Sequence, residues 1–246
     1  MLASKPYLKK IELLRDEIPD RNIYPFNLPI LTHLNSLTFH EDVTFIIGEN
    51  GSGKSTLIEA IATVWGFNAE GGNKNFNFKT EDTHSNLRDF IQIQKSFARP
   101  RDGFFLRAES YYNVASYVDT IPDTLDSFGG TSLHEQSHGE SFMAMLRNKL
   151  RGNGFYIFDE PEAALSPTRQ IEALACIKRL VERDSQFIIA THSPILLSFP
   201  DAIIYQINEG HLEQVQYTDT EHFKVTKNFL DQFNSSNGID IYSIFD

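Results

Sequence analysis

The sequence is short of cysteine and of long apolar runs, and we expect no secretion signal. Among its 246 residues there is one cysteine, Cys176, so no disulfide can form within the chain, and a cytoplasmic location is the simplest interpretation. No apolar run approaches the ~20 residues that a membrane-spanning helix needs. The amino-terminal stretch MLASKPYLKKIELL has neither a long apolar segment nor a clear cleavage site. We therefore expect no direct insertion into a membrane.

Positive charge is also scarce. The chain has 22 lysines and arginines against 33 aspartates and glutamates, which gives a net charge of −11. Because broad, non-specific nucleic-acid binding relies on positive charge, this balance disfavours it. Contact with nucleic acid stays open, since Lys95, Arg99 and Arg101 form a small basic group in the segment QKSFARPRDG. A solvated, charge-rich turn is the simpler interpretation of that segment.

What the sequence does contain is a succession of short apolar runs that alternate with helical patterns. The runs FYIFDE and QFIIATH end in polar residues, and an amphipathic helix is expected between them. This alternation predicts an α/β fold with a largely parallel sheet. Further strands are expected in DFIQIQ, GFFLRA and AIIYQI, with an edge strand at residues 7–14.

The remaining segments give weaker patterns. Residues 20–35 are expected to form a loop and a short strand, and residues 70–79 a turn that leads into a strand. Residues 111–150 are expected to contain a helix, a turn rich in glycine, serine and histidine, and a second helix from about Ser141. A further helix is expected over residues 220–233.

The segment FIIGENGSGKST, residues 45–56, is the strongest signal for function. Gly48, Gly53, Lys54 and Ser55 fit G-x-x-x-x-G-K-[ST], the phosphate-binding loop, between an apolar strand and a helix as that motif requires. In such a loop the backbone N–H groups surround phosphate oxygens, the lysine reaches the β- and γ-phosphates, and the serine hydroxyl binds Mg²⁺. The expected nucleotide contacts are Gly48, Asn50, Gly51, Gly53, Lys54, Ser55 and Thr56.

Two carboxylates follow the apolar run of FYIFDEPEAALSP. Asp159 and Glu160 are expected at the carboxyl end of a buried strand, which is where α/β sheets bind ligands. Asp159 can hold Mg²⁺ together with Ser55. Glu160 can polarise a water molecule that attacks the γ-phosphate, and it is therefore a catalytic candidate.

A histidine follows the next apolar run, in the segment IIATHSP. His192 comes directly after Thr191, where that strand is expected to end. A histidine at this position can donate a hydrogen bond to the γ-phosphate and hold the attacking water in line. We take it as a second catalytic candidate.

The segment EQSHGES, residues 135–141, allows two interpretations. Ser137 and the backbone N–H groups of a helix start could bind an anion. Simple capping of that helix by Ser137 or Ser141 explains the same residues. The spacing alone does not decide between them.

The ordered set GENGSGKST, QSHGE, IFDEPEAALS and ATHS resembles the ATP-binding cassette (ABC) type of P-loop ATPase. The resemblance covers about residues 20–230 and is strongest to a compact, stand-alone group of predicted ATPases, related to the ATPase heads of DNA-repair and chromosome-structure proteins. It implies one ABC-type domain over residues 1–246, with a nucleotide-binding α/β core and a small helical lobe at residues 110–150. It also implies ATP held between two subunits, where the phosphate loop of one faces the signature turn of the other.

By position, this resemblance implies that Ser137, Gly139 and Glu140 are signature residues that contact the nucleotide. The usual signature is Leu-Ser-Gly-Gly-Gln, so Gln136, His138 and Glu140 depart from it. Another family segment, the D-loop that crosses the dimer interface, falls on residues 164–166.

Two further family positions stay open. The Q-loop is expected at Glu109, with Gln94 as the alternative, because it should follow a strand before the helical lobe. The aromatic residue that stacks on adenine is expected upstream of the phosphate loop. Tyr24 and Phe26 are candidates, and both also suit an ordinary core position.

The sequence thus predicts a Mg²⁺-dependent ATPase that switches through an ATP-dependent homodimer and acts on an unknown protein partner. Two alternatives are a transporter motor subunit and a DNA-processing ATPase head. A transporter motor would need a separate membrane partner, and the segment ATHSPILL points away from it. DNA-processing heads usually insert long coiled coils between the phosphate loop and the signature, and the interval from Lys54 to Ser137 has no sustained heptads.

Overall fold

The computed structural model describes residues 5–72, 85–108 and 137–235. The strands in these ranges are β1 (Leu8–Leu13), β2 (Ser36–Thr38), β3 (Val43–Ile47), β4 (Ile91–Lys95), β5 (Asp102–Arg107), β6 (Gly154–Asp159), β7 (Gln186–Ala190), β8 (Ile203–Asn208) and β9 (His211–Val215). The helices are α1 (Pro29–Thr32), α2 (Lys54–Trp65), α3 (His138–Ala144), α4 (Pro167–Val181) and α5 (Glu221–Ser235). A π-helical turn, Met145–Lys149, extends α3.

The main sheet has six strands in the order β5-β6-β7-β3-β8-β9. All neighbours run parallel except the β8–β9 hairpin. Every residue of β3, β6 and β7 is buried, as the unbroken apolar runs of their sequences indicate. The prediction of an α/β fold with a largely parallel sheet is therefore confirmed.

The two faces of this sheet pack against different layers. In β3, Val43, Phe45 and Ile47 contribute to a core cluster beneath α3 and α4. Ile46 points to the opposite face and contributes to a second cluster with α2 and the small sheet. Parallel strands covered on both faces bring their carboxyl ends to one edge, and polar residues there face a common space.

The small sheet is antiparallel, with the order β2-β1-β4. The prediction of an edge strand at residues 7–14 is wrong in that respect, because β1 pairs with β2 on one side and with β4 on the other. The alternation in LKKIEL reflects a strand with one buried face, and such alternation does not depend on how many neighbours the strand has.

Three other segments differ from expectation. Residues 20–35 contain α1 and no strand; Pro29 stands at the first position of α1, where a missing N–H costs nothing. The helix expected from about Ser141 begins at His138, because Ser137 supplies its cap. The hairpin strand β9 was not expected, since its sequence HLEQV is mostly polar and exposed.

Several predicted features lie outside the described residues. These are Glu109, Gln136, the first helix expected within residues 111–150, and most of the strand expected at residues 70–79. Gly72 pairs with Phe105 through an isolated antiparallel bridge. No helix of the described ranges is long and apolar enough to cross a membrane.

Candidate nucleotide site

The phosphate-loop sequence forms the connection between β3 and α2. Gly53 caps α2 with a left-handed backbone (φ 97°), which favours glycine. A Cβ at Gly53 would lie 2.7 Å from the Ile30 Cγ2 atom, so α1 packs directly against the loop. The Ile30 N–H also donates a hydrogen bond to the Ser52 carbonyl (3.0 Å). The loop is therefore braced from the side by α1.

Several loop N–H groups have no acceptor. In the described part of the chain, the N–H groups of Asn50, Gly51 and Gly53 donate no hydrogen bond. They lie beside the start of α2, whose first N–H groups also lack an intrahelical partner and carry the positive end of the helix dipole. Such a set of free donors suits an anion with several oxygens.

Lys54 is a buried cation. Its side chain is 4% exposed, and its ammonium donates to the carbonyls of Gly48 (2.7 Å) and Glu49 (2.9 Å). Within the described ranges it makes no ion pair. Burial lowers the pKa of Lys54, while the nearby carboxylates of Glu160 and Asp159 act in the opposite direction.

Ser55 and Asp159 meet across the sheet edge. The Ser55 hydroxyl donates to the Asp159 Oδ1 atom at 3.0 Å, and Asp159 is 4% exposed. This juxtaposition of the loop with the end of β6 was expected from the sequence. A hydroxyl and a carboxylate are oxygen ligands that Mg²⁺ prefers.

The donor set fits a magnesium ion that shares its coordination with a ligand. In the residues that the structure describes, no group of three or more histidines, cysteines, aspartates or glutamates could hold a metal by itself. Mg²⁺ usually takes one or two protein carboxylates together with substrate phosphates and water molecules. The Ser55–Asp159 pair matches that pattern.

Arg107 is a member of this site that the sequence analysis missed. It stands at the end of β5, directly opposite Asp159 in the register. Its guanidinium lies 2.6 Å from the Glu59 Oε2 atom and 4.0 Å from the Asp159 Oδ2 atom. The signal was available, since GFFLRA is an apolar run that ends in a charged residue, as FYIFDE does.

Glu160 follows Asp159 with a left-handed backbone (φ 52°), unusual for a residue with a side chain. Its N–H donates to the Ala190 carbonyl (2.9 Å). Its Oε1 atom lies 3.6 Å from the His192 Nε2 atom, and the two side chains keep 40% and 31% of their exposure. The two predicted catalytic candidates are thus brought face to face at the sheet edge.

Glu162 holds the segment that carries His192. Its carboxylate accepts hydrogen bonds from the Thr191 hydroxyl (2.7 Å) and from the backbone N–H of His192 (2.5 Å). The sequence analysis did not single out Glu162. The only signal was a third carboxylate in the segment DEPE.

His222 also reaches the site, from the start of α5. Its Nε2 atom lies 3.4 Å from the Nδ1 atom of His192. A cavity of about 540 Å³ lies between this helix and the phosphate loop. Its lining includes Gly48, Glu49, Asn50, His192, His222 and Val225. No sequence motif marks His222, so sequence reasoning could not have assigned it to the site.

The predicted signature residues lie at the start of α3. Ser137 caps the helix in a reciprocal pair with Glu140: the Glu140 N–H donates to the Ser137 hydroxyl, and the Glu140 carboxylate accepts from the Ser137 N–H. Glu140 also pairs with Arg169 (3.3 Å). A Cβ at Gly139 would lie 2.7 Å from the Ala164 carbonyl oxygen, so the helix packs closely on the turn after Glu160.

None of the hydrogen bonds or ion pairs in the described ranges joins Ser137, Gly139 or Glu140 to the phosphate loop. The capping interpretation of Ser137 therefore describes its contacts within one chain. The other predicted role, that of a signature residue, concerns contacts with ATP bound to a second chain.

The candidates for the adenine-stacking aromatic and for the Q-loop lie in different environments. Phe26 is 5% exposed and packs edge-on against Phe90 at 5.0 Å between ring centroids, as an ordinary core residue does. Tyr24 is 61% exposed. Gln94 lies on β4 of the small sheet, paired with Lys10, away from the edge that carries Asp159.

Comparison with known proteins gives two family matches. A model described as an AAA domain matches residues 21–119, and a model described as an AAA domain, putative AbiEii toxin, type IV TA system matches residues 131–198. The first contains the phosphate loop, and the second contains Asp159, Glu160 and His192. A search of curated proteins gave no match.

Solved structures that match this fold include two ATP-binding cassettes and an SMC head domain. The cassette of an ABC transporter in its ADP conformation has a TM-score of 0.50 at 18% identity, covering 85% of this chain and 90% of that chain. A nucleotide-free cassette has a TM-score of 0.49 at 19% identity, covering 86% and 90%. The SMC head domain from Thermotoga maritima has a TM-score of 0.48 at 18% identity, covering 85% and 98%. The chain therefore has the fold of an ATP-binding cassette, and its sequence is similar to AAA domains over the phosphate loop and over the segment that carries Asp159, Glu160 and His192.

Proposed function

We propose that this protein binds ATP with Mg²⁺ at the phosphate loop and hydrolyses it to ADP and phosphate. One observation carries the proposal: the Lys54 ammonium is buried without an ion pair in the described residues, beside loop N–H groups that have no acceptor. Burying a cation is costly unless an anion compensates it. The β- and γ-phosphates of ATP would supply that anion. Their oxygens would also accept hydrogen bonds from the free N–H groups of the loop.

Neighbouring side chains would bind Mg²⁺ and activate the attacking water. Ser55 and Asp159 would hold Mg²⁺, which neutralises charge on the phosphates when bound. Glu160 is a carboxylate with a partly exposed side chain next to that pair, so it can accept a proton from an attacking water. His192, directly opposite Glu160, would donate a hydrogen bond to the γ-phosphate.

The proposed active form is a homodimer with two shared sites. Within the described residues, none of the hydrogen bonds or ion pairs of Ser137, Gly139 and Glu140 reaches the phosphate loop of the same chain, and Ser137 is exposed. In a head-to-tail dimer the Ser137 end of α3 would meet the ATP on the phosphate loop of the second copy. Closing and opening of this dimer with ATP binding and hydrolysis would act on a partner protein.

The hydrolysis proposal is tested with two substitutions in the site. We expect Lys54→Ala to weaken ATP binding by at least about 10-fold, because it removes the buried charge that faces the phosphates. We expect Glu160→Gln to bind ATP as the wild-type protein does and to lose at least about 100-fold in turnover, the usual contribution of a general base. Binding is measured by equilibrium titration, and turnover by phosphate release with Mg²⁺ or with excess EDTA.

The control is Glu172→Gln, which changes an exposed glutamate in α4 whose partner is Arg147. It should leave binding and turnover unchanged. Wild-type turnover in Glu160→Gln would show that Glu160 is not the base. Hydrolysis in EDTA at the rate seen with Mg²⁺ would contradict the metal assignment.

A further inference from the structure

The imidazole rings of His222, at the start of α5, and His192, after β7, lie next to each other in the candidate site. The His222 Nε2 atom and the His192 Nδ1 atom are 3.4 Å apart, and the ring centroids are 5.5 Å apart. The other two ring nitrogens, His192 Nε2 and His222 Nδ1, are buried and have no hydrogen-bond partner among the residues that the structure describes. A hydrogen bond across this distance needs a proton on one facing nitrogen and a lone pair on the other, and each neutral imidazole carries a single N–H.

The Glu160 carboxylate decides which of the two donates. It lies 3.6 Å from the His192 Nε2 atom. If the His192 Nδ1 atom carried the proton, the lone pair on His192 Nε2 would face a carboxylate oxygen, which is unfavourable. If the His222 Nε2 atom donates to His192 Nδ1, then His192 carries its proton on Nε2 and presents a donor to the carboxylate.

We propose that His222 is a positioning residue: its Nε2–H holds His192 in the tautomer that carries the proton on Nε2. The inference rests on the proposed function, in which His192 donates a hydrogen bond from Nε2 to the γ-phosphate. In the other tautomer His192 would offer the phosphate a lone pair in place of a donor. His222 therefore acts through His192 and has no contact of its own with the γ-phosphate in this proposal.

The surroundings of His222 keep its ring neutral. Burial lowers the pKa of His222, and the nearby His192 ring and the Lys54 ammonium act in the same direction, against Glu221. A neutral ring with the proton on Nε2 leaves the Nδ1 atom bare, and that is the nitrogen without a partner. The donor from His222 to His192 is then present at neutral pH.

The experiment compares two variants at position 222 with a control on the same helix. His222→Phe keeps an aromatic ring and removes the donor. His222→Gln keeps an N–H donor near the position of Nε2. The control is Val225→Ala, one turn further along α5 on the lining of the same cavity.

The first readout is the tautomer of His192 without nucleotide. Nitrogen-15 spectra of histidine-labelled protein show which ring nitrogen is protonated, and the spectrum of His192→Gln identifies the His192 signals among the eight histidines. We expect His192 to carry its proton on Nε2 in the wild-type protein, in His222→Gln and in Val225→Ala. In His222→Phe we expect the tautomer with the proton on Nδ1 to become detectable beside the other, because only the Glu160 carboxylate then favours the proton on Nε2. A proton on Nδ1 in the wild-type protein, or an unchanged single tautomer in His222→Phe, would overturn the proposal.

The second readout is ATP turnover. We expect His222→Phe to lower kcat by about 10-fold or more with ATP affinity unchanged, and His222→Gln to recover most of the rate. An unchanged kcat in His222→Phe would remove the positioning role. The two arms separate the two claims: if the wild-type protein hydrolyses no ATP, the proposed function fails, while the tautomer of His192 still tests the His222–His192 bond.

Discussion

At the scale of single residues, the site is organised by groups whose charges or donors are only partly matched within the chain. The Lys54 ammonium has two backbone carbonyls as its acceptors and no ion pair in the described residues. Arg107 stands next to Asp159 and Glu59, and it balances part of their charge. Phosphates next to Lys54 and a metal ion next to Asp159 would compensate these charges and stabilise the site.

The residue-scale prediction concerns Glu162. Glu162→Ala removes the acceptor of the Thr191 hydroxyl and of the His192 N–H, and Thr191 is fully buried. Leaving buried donors without an acceptor costs about 1–3 kcal/mol, so we expect the free energy of unfolding to fall by about that amount. Urea denaturation of the apo protein measures it.

A matched control is Glu172→Ala. Glu172 also accepts a hydrogen bond from an arginine, Arg147, but both side chains are about half exposed. Exposed ion pairs contribute about 0–1 kcal/mol, so this variant should change stability little. Equal effects of the two substitutions would show that Glu162 has no special part in holding the His192 segment.

At the scale of elements, the site depends on where strands end and on what braces the loop. β3, β6 and β7 are neighbours in the parallel sheet, so the phosphate loop, the Asp159–Glu160 pair and His192 leave the same edge. The short helix α1 then packs on the loop from the side through Ile30. The sheet sets the position of the polar groups, and α1 restricts the loop that binds the phosphates.

The element-scale prediction compares two glycines of this loop. Gly51 (φ 78°) and Gly53 (φ 97°) both have left-handed backbones, so alanine at either position is strained by about 1–2 kcal/mol. A Cβ at Gly51 meets nothing within 4 Å, whereas a Cβ at Gly53 would collide with Ile30 at 2.7 Å. We expect Gly53→Ala to lose about 1–3 kcal/mol more stability than Gly51→Ala because of this overpacking.

Urea denaturation of both variants measures the difference, and Gly51→Ala serves as the control for backbone strain. The double variant Gly53→Ala with Ile30→Ala, which removes the colliding Cγ2 atom, is compared with Ile30→Ala alone and tests whether α1 causes the excess loss. If Gly53→Ala and Gly51→Ala lose the same stability, α1 does not brace the loop.

The sequence predicted those elements whose patterns are local. Unbroken apolar runs predicted β3, β6 and β7, and the glycine spacing predicted the loop between β3 and α2. The number of partners of β1 could not be predicted, because alternation within one strand does not report its neighbours. The mostly polar β9 was missed because it carries no continuous apolar pattern.

The parts of the site that sequence could not predict come from distant contacts. Asp159 and Ser55 belong to motifs of known spacing, so their meeting at 3.0 Å was expected. His222 lies 30 residues beyond His192 and reaches it only because α5 begins over the phosphate loop. Arg107 enters the site through the register of β5 with β6, and that register is a property of the sheet.

At the scale of the whole molecule, two functional surfaces lie on different elements. The phosphate loop follows β3, whereas Ser137 is exposed at the start of α3, and no hydrogen bond or ion pair among the described residues connects the two. In the proposed dimer, one copy would offer its loop to one ATP molecule and its signature turn to the other. A two-fold pair of copies would complete both sites with the same set of contacts.

The central claim is that ATP is hydrolysed at a site shared between two copies, and mixing two damaged variants tests it most directly. Lys54→Ala damages the loop, and Ser137→Arg blocks the signature turn. Each variant alone should be inactive, since both sites of its homodimer carry a lesion. In a mixed dimer the lesions fall together on one site and leave the other intact.

Phosphate release is measured for each variant alone and after mixing in equal amounts, with subunit exchange confirmed by co-purification through two different tags. Half of the dimers should be mixed, so about a quarter of all sites should be intact and activity should return to at most about a quarter of the wild-type rate. Full activity of Ser137→Arg alone, or no recovery after confirmed exchange, would contradict the claim.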